Sequence, residues 1–182
     1  MDQPSFGCSG MSNGMNTQEI SLCEPLQLLK DEHAPLRAMM YAFNETAQQV
    51  MCGDGIELFY MLREQVTAFT LALKKHARKE DDVLFPMMAT HIGREFGPIA
   101  VMEHEHEQAE MNLERFLEAA GPDGTELDHE EAKFIAGYAA FAYSILTQHF
   151  NKEENVLFPM AQRMLSEEEK AQLANQISNL IS

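Results

Sequence analysis

The chain has 182 residues, with 29 acidic side chains against 13 basic ones and a formal net charge of -16. That length suits one domain with a sizeable core, and an acidic surface of this strength repels phosphate backbones and anionic lipid, which argues against nucleic-acid and membrane-surface partners. Met, Leu, Phe and Ala supply most of the apolar content while Gly and Pro cluster in a few places, the composition of an all-α chain.

The N-terminus lacks the basic start and apolar core of a secretory signal. The longest uncharged run, Phe134 to Gln148, is shorter than the roughly 20 apolar residues that a spanning helix needs. Three cysteines, Cys8, Cys23 and Cys52, are odd in number and form no closely spaced pair. They fit a reducing, cytoplasmic setting better than a disulfide scaffold.

Residues 1–20 are rich in Ser, Gly, Asn and Met without periodicity and are expected to form a flexible arm. Cys8, within it, has no basic neighbour and reads as an incidental thiol. The bundle region is expected over residues 21–165 and a separate C-terminal helix over 166–182. Ser21-Leu-Cys-Glu24 has the form of a capping box, with Pro25 tolerated in the first turn that follows. An apolar stripe then steps by three and four through Leu26, Leu29, Leu36, Met40, Phe43, Ala47 and Val50, with His33 in its middle. Gly53-Asp54-Gly55 marks the turn.

The second helix carries Phe59, Leu62, Val66, Phe69, Leu73, His76, Glu80 and Val83 or Leu84 on one face. A carboxylate on a core stripe must be exposed, paired or bound to metal, because burying it alone is costly. Pro86 is expected to bend or end this helix, leaving Met87 to Gly97 as a loosely helical connection with His91 towards solvent.

Gly97-Pro98 opens the third helix, whose stripe runs Ile99, Met102, His106, Ala109, Leu113, Phe116 and Leu117. His104 falls about 160° away around the helix, so periodicity selects His106. Glu110 is expected to make a salt bridge at the mouth of the site rather than to join it. The fourth helix starts near Asp128 with the stripe Tyr138, Ala142, Ile145, His149, Glu153, Val156 and Met160, while His129 reads as a surface residue and Tyr138 as packing. Ser166-Glu-Glu-Glu169 is a second capping box. The helix after it, apolar at Leu173, Ile177 and Leu180, is expected to pack on the bundle or on a second subunit of a homo-oligomer.

Two stretches repeat: His76 to Met87 and His149 to Met160 are identical at eight of twelve positions. The same offset of 73 residues superposes Glu105 and His106 on Glu32 and His33. Each half therefore supplies a His and then a His-x-x-x-Glu, whose side chains share a helix face about one turn apart. Four antiparallel helices would place His33, His76, His106 and His149 around one cavity, with Glu80 and Glu153 between them. Four imidazole nitrogens and two bridging carboxylates make eight donor atoms, four for each of two ions. A solvent-derived oxo or hydroxo bridge would add a fifth to each and leave a position open. Nitrogen and oxygen donors without thiolate suit iron, with manganese also compatible, whereas a closed tetrahedral zinc site needs fewer ligands.

This arrangement, with Leu-Phe-Pro after both His-x-x-x-Glu motifs, resembles the hemerythrin-like family and its HHE cation-binding motif over roughly residues 24 to 165. The resemblance implies an up-down-up-down four-helix bundle around a non-haem di-iron centre. His33, His76, His106 and His149 would be terminal ligands, Glu80 and Glu153 bridges. Oxygen-carrying hemerythrins have a fifth His on the third helix, where this chain offers Met102 or Glu110. Their last motif ends in Asp five residues after His, where this one has Glu at four. The resemblance is therefore to the bacterial stress-response members, implying binding or turnover of O₂, NO or peroxide in oxidative or nitrosative stress or iron handling. A metal- or oxygen-responsive interaction module is the alternative, and a manganese centre with catalase-like activity a weaker one. The iron-centre repair branch has an extra N-terminal cysteine-containing domain that the short arm does not reproduce, so repair is not expected. Outside the metal cluster no nucleophile, phosphate-binding glycine loop or separate acid–base set stands out.

Overall fold

The apolar stripes become four long helices: α1 (Glu24–Cys52), α2 (Ile56–Lys79), α4 (Pro98–Ala120) and α5 (His129–Lys152). The computed structural model describes residues 20–53, 56–122 and 126–181, and no strand occurs among them. The expected N-terminal arm, with Cys8, thus lies outside the described residues except for Ile20. A π-helical turn (Glu80–Leu84) joins α2 to α3 (Phe85–Ile92), and a second (Glu153–Leu157) joins α5 to α6 (Phe158–Met164); α7 (Glu167–Ile181) follows. α1 packs beside α2 and α5, and α4 completes the ring beside α5 and α2. Helices adjacent in sequence are adjacent in space, as in an up-down-up-down bundle. Among the described residues no helix is long and apolar enough to cross a membrane.

Helix ends follow local chemistry with one exception. Gly53 takes a left-handed φ of 99° and closes α1 with its N–H on the carbonyls of Gln49 and Val50. Ser166 and Glu169 form the reciprocal cap expected of them. Asp128 and Glu131 form another at the start of α5. The exception is the start of α1. Its N-cap is Cys23, with no side-chain cap, so Ser21-Leu-Cys-Glu24 is not a capping box. The backbone N–H of Cys23 instead donates to Oε1 of Gln162 on α6 at 2.7 Å, a tertiary partner that local sequence does not reveal.

The two prolines after the repeated motifs do not end their helices. Phe85 N–H donates to the carbonyl of Glu80, and Phe158 N–H to that of Glu153, each bond spanning five residues. Pro86 and Pro159 have no N–H to offer and sit in the first turns of α3 and α6, where none is required. The widened turn carries the helix past a proline instead of breaking it, and α3 runs on to Ile92. It also advances the register. Val156, expected on the core stripe, is 51% exposed, and Leu157 is buried in its place. Pro35, inside α1, lies on the exposed face, where the carbonyl that loses its partner can turn to water.

The core has two parts. One, from Leu36 to Val50 on α1 with Phe59, Phe69, Phe116 and Phe150, fills most of the bundle. The other, with Leu26, Leu29, Leu84, Phe85, Phe158, Leu173 and Ile177, lies where α3, α6 and α7 close one end. α7 therefore packs on the bundle, and His91, exposed as expected, also reaches it through a 2.7 Å contact with Glu169. On every long helix the residues proposed to bind metal fall between these clusters: His33 between Leu29 and Leu36, and His106 between Met102 and Ala109.

Candidate metal centre

The polar layer brings six side chains together. Nitrogen and oxygen atoms of His33, His76, Glu80 and Glu153 lie within 4.8 Å of one another, as do those of His106, His149, Glu80 and Glu153. Each set takes one His pair, and both share the two carboxylates. Nε2 of His33 is 3.1 Å from Nε2 of His76, and Nε2 of His106 is 2.8 Å from Nε2 of His149. Glu153 presents Oε2 to His33 at 3.3 Å and Oε1 to His149 at 3.1 Å, and so spans the two sets. Glu80 Oε2 is 3.4 Å from His76 and 3.6 Å from His106.

Whether these residues fit metal is decided by the carboxylates. Glu80 and Glu153 are fully buried, and among the described residues none of their four oxygens has a hydrogen-bond partner. Such burial is costly unless a positive charge sits within reach. The donor set, two imidazoles and shared carboxylates on each side, matches what two hard or borderline divalent ions require.

The outer edge of each imidazole is held by a second carboxylate. Glu154 faces Nδ1 of His33, Glu32 that of His76 and Asp81 that of His106, each at 2.8 Å, and Glu105 faces Nδ1 of His149 at 3.2 Å. With Nδ1–H donating outward, the Nε2 lone pair is left to point inward. Lys79 pairs with Glu32 and Lys152 with Glu105, while Arg37 donates to Glu154 at 3.0 Å. Helical periodicity alone gives Glu32, Asp81, Glu105, Glu154, Lys79 and Lys152 no role. The signal was available: Glu32 and Glu105, Asp81 and Glu154, and Lys79 and Lys152 are each 73 residues apart and adjacent to a residue singled out as a ligand.

Electrostatics reflect this acidic cage. Burial opposes a charge on His76, but the Glu80 carboxylate and the hydrogen bond to Glu32 outweigh it and push the imidazole up to about 10. His149 rises to about 10 for the same reasons, through Glu153 and Glu105. Glu153 is held well below the usual carboxylate range; burial opposes this, and the His149 and His33 imidazoles prevail. Protonated imidazoles thus occupy the electrostatic role that a cation would take over.

The remaining candidates lie elsewhere. His104 and His129 are exposed. Glu110 pairs with Lys74 at 2.9 Å, as expected. Met102 is buried in the apolar cluster below the layer and belongs to neither donor set. Tyr138 packs edge-on against Phe134.

A buried layer of imidazoles and carboxylates across a four-helix bundle defines a metal-binding helical bundle protein. More particularly, the chain belongs to the hemerythrin family: the hemerythrin HHE cation binding domain matches residues 24–172. It is 36% identical over 106 residues to the iron-sulfur cluster repair protein YtfE of Musicola paradisiaca, covering 56% of this chain and 47% of that one. Similarity to the protein of that name from Dickeya chrysanthemi is 36% over 105 residues, with the same shares covered. For Pectobacterium atrosepticum it is 34% over 115 residues, covering 60% and 51%. The chain thus spans about half the length of the curated relatives it matches.

Proposed function

We propose that this is a non-haem di-iron protein that binds or turns over O₂, NO or peroxide in oxidative or nitrosative stress or iron handling. The observation that carries the reading is the pair of overlapping donor sets sharing Glu80 and Glu153. His33 and His76 would hold one ion and His106 and His149 the other. The ions, iron with manganese as the other compatible metal and an oxo or hydroxo bridge expected between them, would supply redox equivalents when bound. The chain supplies the rest. Glu32, Asp81, Glu105 and Glu154 orient the imidazoles, the two apolar clusters limit water, and Lys79, Lys152 and Arg37 offset the outer carboxylates. The free thiols of Cys23 and Cys52 are consistent with a cytoplasmic setting.

Iron-sulfur cluster repair enters as a second reading on the strength of the relatives' name. Both readings are tested on the full chain purified without oxygen. An optical titration with O₂, NO and H₂O₂ should change an iron chromophore under the first reading. Restoration of a damaged cluster protein by the iron-loaded chain would support the second. Loss of both responses in a fully loaded chain would favour a metal-responsive interaction module.

A further inference from the structure

The two halves of the site are related by the 73-residue repeat, but their surroundings are not equivalent. Beside His106 lies a cavity of about 240 Å³, with walls that include Leu73, Ala77, Ala109 and Leu146. At the matching place beside His33, Phe150 replaces Ala77 and Leu36 replaces Ala109. Phe150 is fully buried and stacks on the His33 ring at 4.3 Å, and the Arg37 guanidinium carbon lies 5.4 Å from the centroid of the Phe150 ring. The consequence shows in the imidazoles themselves: the His106 side chain is 10% exposed, and those of His33, His76 and His149 are 3% or less.

The cavity also has a definite chemistry. Its polar lining is already engaged within the protein: Lys74 with Glu110 and Glu114, Arg78 with Asp82, Asp81 with His106, and the Thr70 hydroxyl with the carbonyl of Val66. Leucine and alanine walls give an ion or a strongly hydrated molecule nothing to replace lost water, whereas a neutral diatomic gas gives up little on entering. We infer that this cavity is the access route and holding site for a neutral diatomic ligand, so that small molecules approach the metal centre from the His106 side alone while Phe150 plugs the His33 side. The inference rests on the di-iron reading above and adds to it the side of approach and a preference for O₂ or NO over peroxide.

The test places in the open half the side chains that fill the closed half, Ala77→Phe and, as the milder change, Ala109→Leu, in the full chain. Metal content and helicity are checked first, xenon-pressurised crystals then report the cavity, and stopped-flow mixing reports NO association. Xenon should occupy the cavity in the unaltered chain and be absent from both variants, with two metals retained and NO association slowed roughly tenfold or more. If Ala77→Phe overpacks and disturbs folding, Ala109→Leu carries the same expectation. Xenon absent from the unaltered chain, or NO association unchanged in a variant that excludes xenon, would overturn the access route. A loaded chain that takes up xenon but answers neither NO nor O₂ would instead overturn the functional reading, and this inference with it.

Discussion

Glu32 accepts a hydrogen bond from Nδ1–H of His76 at 2.8 Å, on the side of the ring turned away from Glu80, and Lys79 holds the same carboxylate from its other oxygen. Glu105, 73 residues on, does this for His149 with Lys152. The repeat thus duplicates the support of each imidazole along with the imidazole itself.

Removing that support should weaken metal binding without removing a donor atom. Glu32→Ala and Glu105→Ala are each expected to lower metal affinity by roughly 10–100-fold while leaving the stoichiometry at saturation unchanged. Competition against a chromophoric chelator measures this, and affinity within twofold of the parent chain would show that the outer carboxylates do not tune the site.

The shared carboxylates should behave differently. Glu80→Ala or Glu153→Ala is expected to lower metal content towards one ion per chain, because each belongs to both donor sets. His104→Ala should leave it nearly unchanged, since that side chain is exposed. Elemental analysis of the purified variants decides. An emptied site in His104→Ala with a full one in His106→Ala would contradict the register of α4.

The raised imidazoles set a pH dependence. His76 and His149 titrate near 10 in the folded metal-free chain against an ordinary 6.5. A folded value above the unfolded one means stability that is fully present below about 6.5 and is lost as pH rises through about 10. Denaturant titration of the metal-free chain across that window should show falling stability, and a flat profile would contradict the cage. Metal must displace those protons, so loading near neutral pH should release them and tighten as pH rises.

Phe150 joins the core to the site. It is fully buried, stacks on His33 and packs with the larger apolar cluster. Phe150→Ala is expected to cost about 3–5 kcal/mol of stability through the lost contacts and the cavity left behind. Urea denaturation of the metal-free variant against its parent would measure it, and a loss below about 1 kcal/mol would mean that the site collapses around the gap.

Much of this was legible in the sequence because helical periodicity is a strong signal. The apolar stripe of α1 is buried at every position expected, and the same spacing singled out His106 over His104. Periodicity failed at Val156: the π-helical turn at Glu153 brings Leu157 to the core and leaves Val156 exposed, whereas its repeat mate Val83, in the matching turn on which α7 packs, is buried. It failed at Ser21 because the start of α1 is set by Gln162, distant in sequence. The outer carboxylates went unassigned for a related reason: their partners lie on other helices, and only the repeat hinted at their role.

The central claim is that one chain holds two ions between two shared carboxylates. It is tested most directly by metal content of the full chain purified anaerobically from iron-replete cells, with anomalous scattering from its crystals to place the ions. The account predicts two irons per chain, one beside His33 and His76 and one beside His106 and His149, with Glu80 and Glu153 touching both. A single zinc per chain, or no metal at all, would contradict it.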